Sequence, residues 1–168
     1  VGHGRRETGS WGQPRKGPIA GFRLLPIAPF VMSPAFAWSL LLAGAVVIAS
    51  VVPLGAARSQ ADFSLADLSA PRAMFDRLPA WGKRASWAHQ NSFEAFSLHA
   101  PAALLCLVAG VDAPVAIAAA WLHPLLRLLY VPAYVANVPP LRALCWAAAL
   151  LCSGLLYVEG LKAILSQV

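Results

Sequence analysis

The stretch RASWAHQNSFEAF, residues 84–96, opens an apolar run and carries an arginine, an asparagine and a glutamate. With about 100° between successive residues of a helix, Arg84, Trp87, Asn91 and Glu94 fall within about an 80° arc, with Gln90 at its edge. A carboxylate at membrane depth costs about 2.5–3.5 kcal/mol, so it is expected to face protein or a wet cavity and to have a partner. The stretch therefore predicts a functional site around Glu94.

The composition of the chain is that of an integral membrane protein. Of its 168 residues, 59% are hydrophobic and only 12% are charged, whereas soluble domains carry about 25% charged residues. The mean hydropathy is +0.65. The net charge of +6 does not indicate nucleic-acid binding, because five basic residues against Glu7 give residues 1–31 a charge of +4 and leave the remainder with +2.

Residues 1–31 differ from the rest of the chain. They are rich in glycine, proline and arginine and show neither a helical nor a strand period, so we predict that they form a disordered basic tail. Met32 directly precedes the first good apolar run. We therefore expect Met32 to be the biological start, residues 1–31 not to be translated, and residues 32–168 to form the domain.

Four apolar stretches predict four transmembrane helices, at about 35–57, 83–111, 114–135 and 141–165. The expected fold class is an all-α, four-helix integral membrane bundle. Lysines and arginines concentrate in the loops 58–83 and 137–141 and at their borders, so the positive-inside rule places these loops in the cytoplasm. The three cysteines all lie in predicted spans and form no Cys-x-x-Cys pair, which indicates buried thiols rather than disulfides or a metal site.

A second polar stripe lies in the third predicted span. His123, Arg127, Tyr130 and Tyr134 fall within about 60° of each other on a helix. An arginine in mid-span is costly unless it is paired, and Glu94 is the one acid at comparable depth, so we expect an interaction between Glu94 and Arg127. A structural ion pair that fixes helix register is the alternative, although the tyrosine hydroxyls on the same face favour a polar pocket.

The remaining polar residues are less specific. Arg142 begins the fourth predicted span, where an arginine is also typical of an interfacial anchor. His89, His99 and His123 do not have metal-ligand spacing, so no metal is expected. The sequence also contains no nucleophilic serine motif, P-loop or dinucleotide fingerprint.

Together these residues resemble the MAPEG family, the membrane-associated proteins in eicosanoid and glutathione metabolism. The matching pattern is Arg84 and the AHQNSFE sequence of residues 88–94, then Arg127 and Tyr134 spaced as Arg-x6-Tyr, and then Arg142 at the start of the last helix. The similarity extends from about Met32 to the C-terminus. It is greatest to a largely uncharacterised bacterial branch of the family.

The resemblance implies a homotrimer of four-helix subunits in the bacterial inner membrane, with glutathione bound between neighbouring subunits near the cytoplasmic side. Arg142 would lie near the sulfur and favour the thiolate electrostatically, because a guanidinium cannot act as a general acid at neutral pH. The other expected glutathione-binding residues are Arg84, Gln90, Asn91, Glu94, Arg127, Tyr130 and Tyr134.

The implied activity is a glutathione-dependent transferase or peroxidase that acts on lipophilic electrophiles or lipid hydroperoxides from the bilayer. Membrane lipids and a lipophilic substrate are the expected partners, and nucleic acid is not. Family enzymes usually carry an arginine where this chain has Trp87, and often a tyrosine where it has Trp146. These departures leave open the alternative of a non-catalytic lipid-binding or scaffold protein with the same fold.

Overall fold

The computed structural model describes residues 33–167, where all regular structure is helical. The five α-helices are α1 (Pro34–Ala49), α2 (Val51–Ser59), α3 (Ala80–Val108), α4 (Pro114–Val135) and α5 (Pro139–Leu165). Two short 3-10 helices, Leu65–Leu68 and Pro71–Arg77, lie between α2 and α3. The prediction of an all-α protein is confirmed. The predictions made for residues 1–31 and for Met32 lie outside the described residues.

The first predicted span is two helices rather than one, so five helices stand where four were expected. Pro53 has no N–H to donate to the Ala49 carbonyl four residues earlier. Helix α1 ends at Ala49, and α2 begins at Val51 after a single turn residue. That residue, Ser50, donates its hydroxyl proton to the Val47 carbonyl at 2.6 Å. The interruption therefore follows directly from the position of the proline.

Three helical segments are long and apolar enough to cross a membrane: Pro34–Ser59, Pro114–Val135 and Pro139–Leu165. Helix α3 has 29 residues and reaches about 44 Å, more than the roughly 30 Å of a bilayer core. Its charged and amide side chains lower its hydropathy, so it is not one of the three.

Large apolar side chains lie on the outside of the bundle and small ones lie inside. Leu144 and Leu151 are 66% and 69% exposed, whereas Ala102, Ala103 and Ala120 are fully buried. Small residues between helices permit close backbone approach where lipid surrounds the bundle. The three cysteines are free and buried, as predicted.

Hydrogen bonds between helix ends show which connections share an end of the bundle. Arg84 Nε donates to the Val135 carbonyl at 2.9 Å, which places the start of α3 beside the end of α4. Gln167 Nε2 donates to the Ala109 carbonyl at 3.3 Å at the opposite end of α3. The connection before α3 and the short turn before α5 therefore lie at one end, and the α3–α4 turn and the end of α5 lie at the other.

Helix α4 continues through Pro124 because a neighbouring helix replaces the missing hydrogen bond. Pro124 offers no N–H to the Ala120 carbonyl. Ser39, which is fully buried on α1, donates its hydroxyl proton to that carbonyl at 2.6 Å. Neighbouring serines commonly satisfy backbone groups freed by proline in membrane helices. This bond ties α1 to α4 in the core.

The Ser39→Ala substitution should lower the free energy of unfolding by about 1–2 kcal/mol, because the Ala120 carbonyl loses its donor. In a Pro124→Ala background the same change should cost less, since the alanine introduced there would supply a helical N–H. Detergent unfolding of the four proteins in this double-mutant cycle measures the coupling. Equal costs in both backgrounds would contradict the assignment.

The connection between α2 and α3 is ordered by one carboxylate. Asp67 Oδ2 accepts hydrogen bonds from the Ser64 amide at 2.9 Å and from the Ser64 hydroxyl at 3.0 Å. Arg77 forms an ion pair with the other carboxylate oxygen. These contacts, of which the Ser64 amide is the strongest, hold the pKa of the Asp67 carboxyl below its ordinary value.

Because this pKa is depressed by folding, the stabilisation of the loop should be complete above the ordinary aspartate pKa and be lost as the pH falls through the folded value. Amide hydrogen exchange at Ser64 should therefore accelerate in acid, after correction for the intrinsic pH dependence. Asp67→Asn should remove that acceleration. Asp76→Asn, at an exposed aspartate of the same loop, should retain it.

Candidate functional site

An open pocket of about 420 Å³ lies between α3 and α4 and is termed the outer pocket. Its lining residues are Trp87, Gln90, Asn91 and Glu94 from α3 and Tyr130 and Tyr134 from α4. The α3 residues recur at three- and four-residue spacing, which places them on one helix face, and the tyrosines are one turn apart. Five of the residues expected to bind glutathione therefore meet at one pocket.

A smaller and more enclosed space of about 170 Å³, termed the inner cavity, adjoins the outer pocket. The two share Asn91 and Glu94. Its other lining residues are the apolar Ala95, Leu98, Trp146, Ala149 and Leu150 and the polar His123, Arg127 and Ser153. The inner cavity is thus apolar along much of its wall, with a small group of polar side chains.

Arg127 reaches α3 through an amide rather than through an acid. The Arg127 side chain is buried, and its Nη2 donates to Asn91 Oδ1 at 3.1 Å and to Ser92 Oγ at 3.4 Å. Asn91 Nδ2 in turn donates to Glu94 Oε2 at 2.9 Å. A carboxamide can serve both neighbours because it has a donor and an acceptor.

The expected interaction between Glu94 and Arg127 therefore runs through Asn91 and is not a direct ion pair. Within residues 33–167, ion pairs join Arg77 to Asp67 and Lys162 to Glu159, and no direct pair joins Glu94 to Arg127. Glu94 is exposed at the pocket whereas Arg127 is buried. Asn91 lies between the exposed Glu94 carboxylate and the buried Arg127 guanidinium, and its amide forms a hydrogen bond with each of them.

Two arginines and two tyrosines form a continuous stack along α4 and the start of α5. The guanidinium carbon of Arg127 lies 3.9 Å from the centre of the Tyr130 ring, and that of Arg142 lies 4.5 Å from the centre of the Tyr134 ring. The two rings meet edge to face at 5.5 Å. Cation–π contacts are worth about 0.5–2 kcal/mol each. The stack fixes the ring positions that line the outer pocket.

Two of the expected site residues lie outside both spaces. Arg84 donates its Nε proton to the last turn of α4, where it satisfies a carbonyl at a helix end. Arg142 does not line the outer pocket but contacts it through Tyr134. The structure thus places Arg84 as a link between helices and Arg142 at the margin of the pocket.

A buried histidine network adjoins the inner cavity and was not predicted. The rings of His99 and His123 stack with their centres 3.6 Å apart. His99 Nε2 lies 2.6 Å from Ser39 Oγ, and Ser153 Oγ lies 3.3 Å from both His99 Nδ1 and His123 Nδ1. His99 is about 140° around α3 from Glu94, so the periodicity that revealed the polar stripe did not include it.

Comparison with known proteins identifies the family of the chain. A model of the MAPEG family matches residues 35–162. The chain belongs to the MAPEG family. The matched region includes residues of all five α-helices and both the outer pocket and the inner cavity. The resemblance inferred from the sequence motifs is therefore confirmed. No curated protein and no solved structure matches this MAPEG chain.

Replacement of Asn91 by leucine should lower the free energy of unfolding by about 1.5–3 kcal/mol, because a buried guanidinium loses a hydrogen-bond acceptor. Gln90→Leu is the matched control. It removes the neighbouring carboxamide of the same pocket, which is exposed, so its effect should be within about 0.5 kcal/mol. Unfolding of both variants in mixed detergent micelles measures the difference, and equal effects would contradict the bridging role.

Proposed function

We propose that this MAPEG protein is a glutathione-dependent transferase or peroxidase that acts on lipophilic electrophiles or lipid hydroperoxides. The observation that carries the proposal is the convergence of Gln90, Asn91, Glu94, Tyr130 and Tyr134 on the outer pocket. A carboxylate, two carboxamides and two phenols are suited to the ammonium and amide groups of a tripeptide. The volume of about 420 Å³ lies within the range of ordinary ligand pockets.

Arg142 is the residue proposed to promote the chemistry. Its guanidinium lies over Tyr134 at the margin of the pocket, and a guanidinium contributes charge rather than proton transfer to catalysis. A positive charge near the sulfur favours the thiolate over a thiol of pKa about 8.5. The thiolate is the nucleophile, and its proton is released to water.

Both reactions balance with glutathione as the only co-reactant. With an electrophile, the sulfur forms a bond to carbon, and the leaving group departs with its electron pair. With a hydroperoxide, the sulfur attacks the terminal oxygen, and the O–O bond breaks to give a sulfenic acid and an alkoxide, which takes a proton from water to become the alcohol. A second glutathione converts the sulfenic acid to the disulfide and water, so two thiols are oxidised for each hydroperoxide reduced.

We also propose that α3 is the fourth membrane-spanning helix and that three copies assemble as a homotrimer in the bacterial inner membrane. Glu94 is exposed in a single chain, and a carboxylate facing lipid would cost about 2.5–3.5 kcal/mol. A neighbouring subunit over the open side of the outer pocket would remove that exposure. The basic residues of loop 58–83 and Arg142, directly after loop 137–141, support a cytoplasmic location for this end.

The test is conjugation of glutathione to a chlorinated aromatic by the protein in nanodiscs. Arg142→Ala should reduce the rate by about 100-fold or more, the usual effect of removing one preorganised electrostatic group. Arg72→Ala, at an exposed arginine of the loop, should leave the rate unchanged. Absence of glutathione binding by calorimetry would reject the enzyme, and full activity of Arg142→Ala would reject the role proposed for Arg142.

A non-catalytic lipid-binding protein is the second candidate. It is favoured by an apolar groove of about 310 Å³ between α1 and α4, whose walls include Val46, Leu128, Leu129 and Val131. Lipid retained through purification, together with no binding of glutathione, would support this alternative. Among residues 33–167, its walls include no charged side chain, so this groove by itself suits an acyl chain rather than a reaction.

A further inference from the structure

Pro124 determines which nitrogen carries the proton in the buried histidines His99 and His123. Because Pro124 offers no N–H to the Ala120 carbonyl, the single hydroxyl proton of Ser39 is committed to that carbonyl, 2.6 Å away. The Ser39 oxygen can then act only as an acceptor towards His99 Nε2, also at 2.6 Å. His99 therefore carries its proton on Nε2.

The proton position on His123 follows in the same way. In a neutral His99 ring Nδ1 is bare, and the Ser153 hydroxyl proton goes either to this nitrogen, across 3.3 Å, or to the Ala149 carbonyl, also 3.3 Å away. The Ser153 oxygen then accepts from His123 Nδ1, also 3.3 Å away. The Ala149 carbonyl, 3.4 Å from His123 Nδ1, is likewise an acceptor. Both neighbours of this nitrogen require a proton on it, so His123 Nε2 is left with a free lone pair.

His123 and Arg127, which line the inner cavity and a narrower gap against α1, carry buried polar atoms that have no partner within the described residues. In the part of the chain that the structure describes, His123 Nε2, Arg127 Nε and Arg127 Nη1 are buried without a hydrogen-bond partner. Both side chains are only 2% exposed, and both line the inner cavity. The two residues thus offer one acceptor and two donors.

The size and walls of the inner cavity define what fits. Its volume of about 170 Å³ far exceeds the roughly 10–15 Å³ that holds one water. Ala95, Leu98 and Leu150 supply an apolar wall. A purely apolar ligand would leave the three polar atoms unpaired, and a carboxylate has no proton to give His123 Nε2. A protic oxygen on an apolar chain satisfies both the acceptor and the donors.

We propose that the inner cavity binds the hydroxyl or hydroperoxyl head of an amphiphile, with His123 Nε2 accepting its hydrogen bond and Arg127 donating to its oxygen. Ser39, His99 and Ser153 are positioning residues, because they hold the His123 ring and set its tautomer. The role of such a hydroperoxide as a reactant rests on the proposed function above. Binding at the inner cavity does not require a thiol.

The tautomers are tested first, by ¹⁵N NMR of the full chain with labelled histidines in nanodiscs. The expected spectrum has the proton of His99 on Nε2 and that of His123 on Nδ1. The Ser39→Ala variant, which removes the acceptor of His99, should change the His99 signals and perturb those of His123. A proton on Nε2 of His123 in the ligand-free protein would overturn the proposal.

The ligand class is tested with three octyl compounds: 1-octanol, octyl hydroperoxide and octyl methyl ether. The alcohol and the hydroperoxide should both shift the His123 Nε2 resonance. Their relative affinities show whether the inner cavity prefers a hydroxyl or a hydroperoxyl head. The ether accepts from Arg127 but has no proton for His123, so it should bind about tenfold more weakly after correction for partitioning into empty nanodiscs. Equal binding of ether and alcohol would overturn the proposal.

Variants assign the effect to the cavity. His123→Phe should weaken octanol binding about tenfold, whereas His89→Phe should not, because His89 pairs with Ser50 and lines neither space. If His123→Phe does not fold, the ether comparison on the unsubstituted protein decides. Retained octanol binding without glutathione conjugation would reject the proposed enzyme alone, and conjugation without any His123 shift would reject this site alone.

Discussion

A guanidinium buried among apolar helices is the constraint on which the rest of this structure depends. Arg127 is 2% exposed, and an arginine at membrane depth persists only where partners surround it. Its contacts are the Asn91 amide, the Ser92 hydroxyl and the face of Tyr130. Two of these come from α3, so that helix must carry polar residues at the depth of Arg127. This requirement accounts for the lower hydropathy of α3.

The same constraint sets the register of α3 against α4. Once Asn91 lies opposite Arg127 in this antiparallel pair, the polar faces of the two helices meet, and Gln90 and Glu94 line the same outer pocket as Tyr130 and Tyr134. Small buried residues such as Ala88 allow the helices to approach closely enough for a hydrogen bond of 3.1 Å. The alignment that gives Arg127 its hydrogen-bond acceptor therefore also forms the outer pocket. This is why structural residues and pocket-lining residues share the same faces of α3 and α4.

The sequence was sufficient to predict the features that repeat along a single helix. Helix α4 has the predicted bounds, 114–135, and the stripes on α3 and α4 follow from spacing. Features that depend on a partner helix were not accessible. The periodicity of the sequence shows which helix face a residue lies on but not how deeply it is buried. It therefore predicted an interaction of Glu94 with Arg127 and did not show that Asn91 lies between them. Ser39 and the carbonyl it satisfies are 81 residues apart, and no pattern within a single sequence connects them.

Pro124 has an effect that extends well beyond its own helix. A proline in a helix removes one donor, and here the freed carbonyl commits the proton of Ser39, which orients His99 and through Ser153 also His123. In a low-dielectric core such a chain of donors strengthens each of its members. A covalent property of α4 thus determines the hydrogen-bonding character of a nitrogen beside the inner cavity. Ser39 and His99 are fully buried, so the polarity of the chain is a consequence of packing as much as of chemistry.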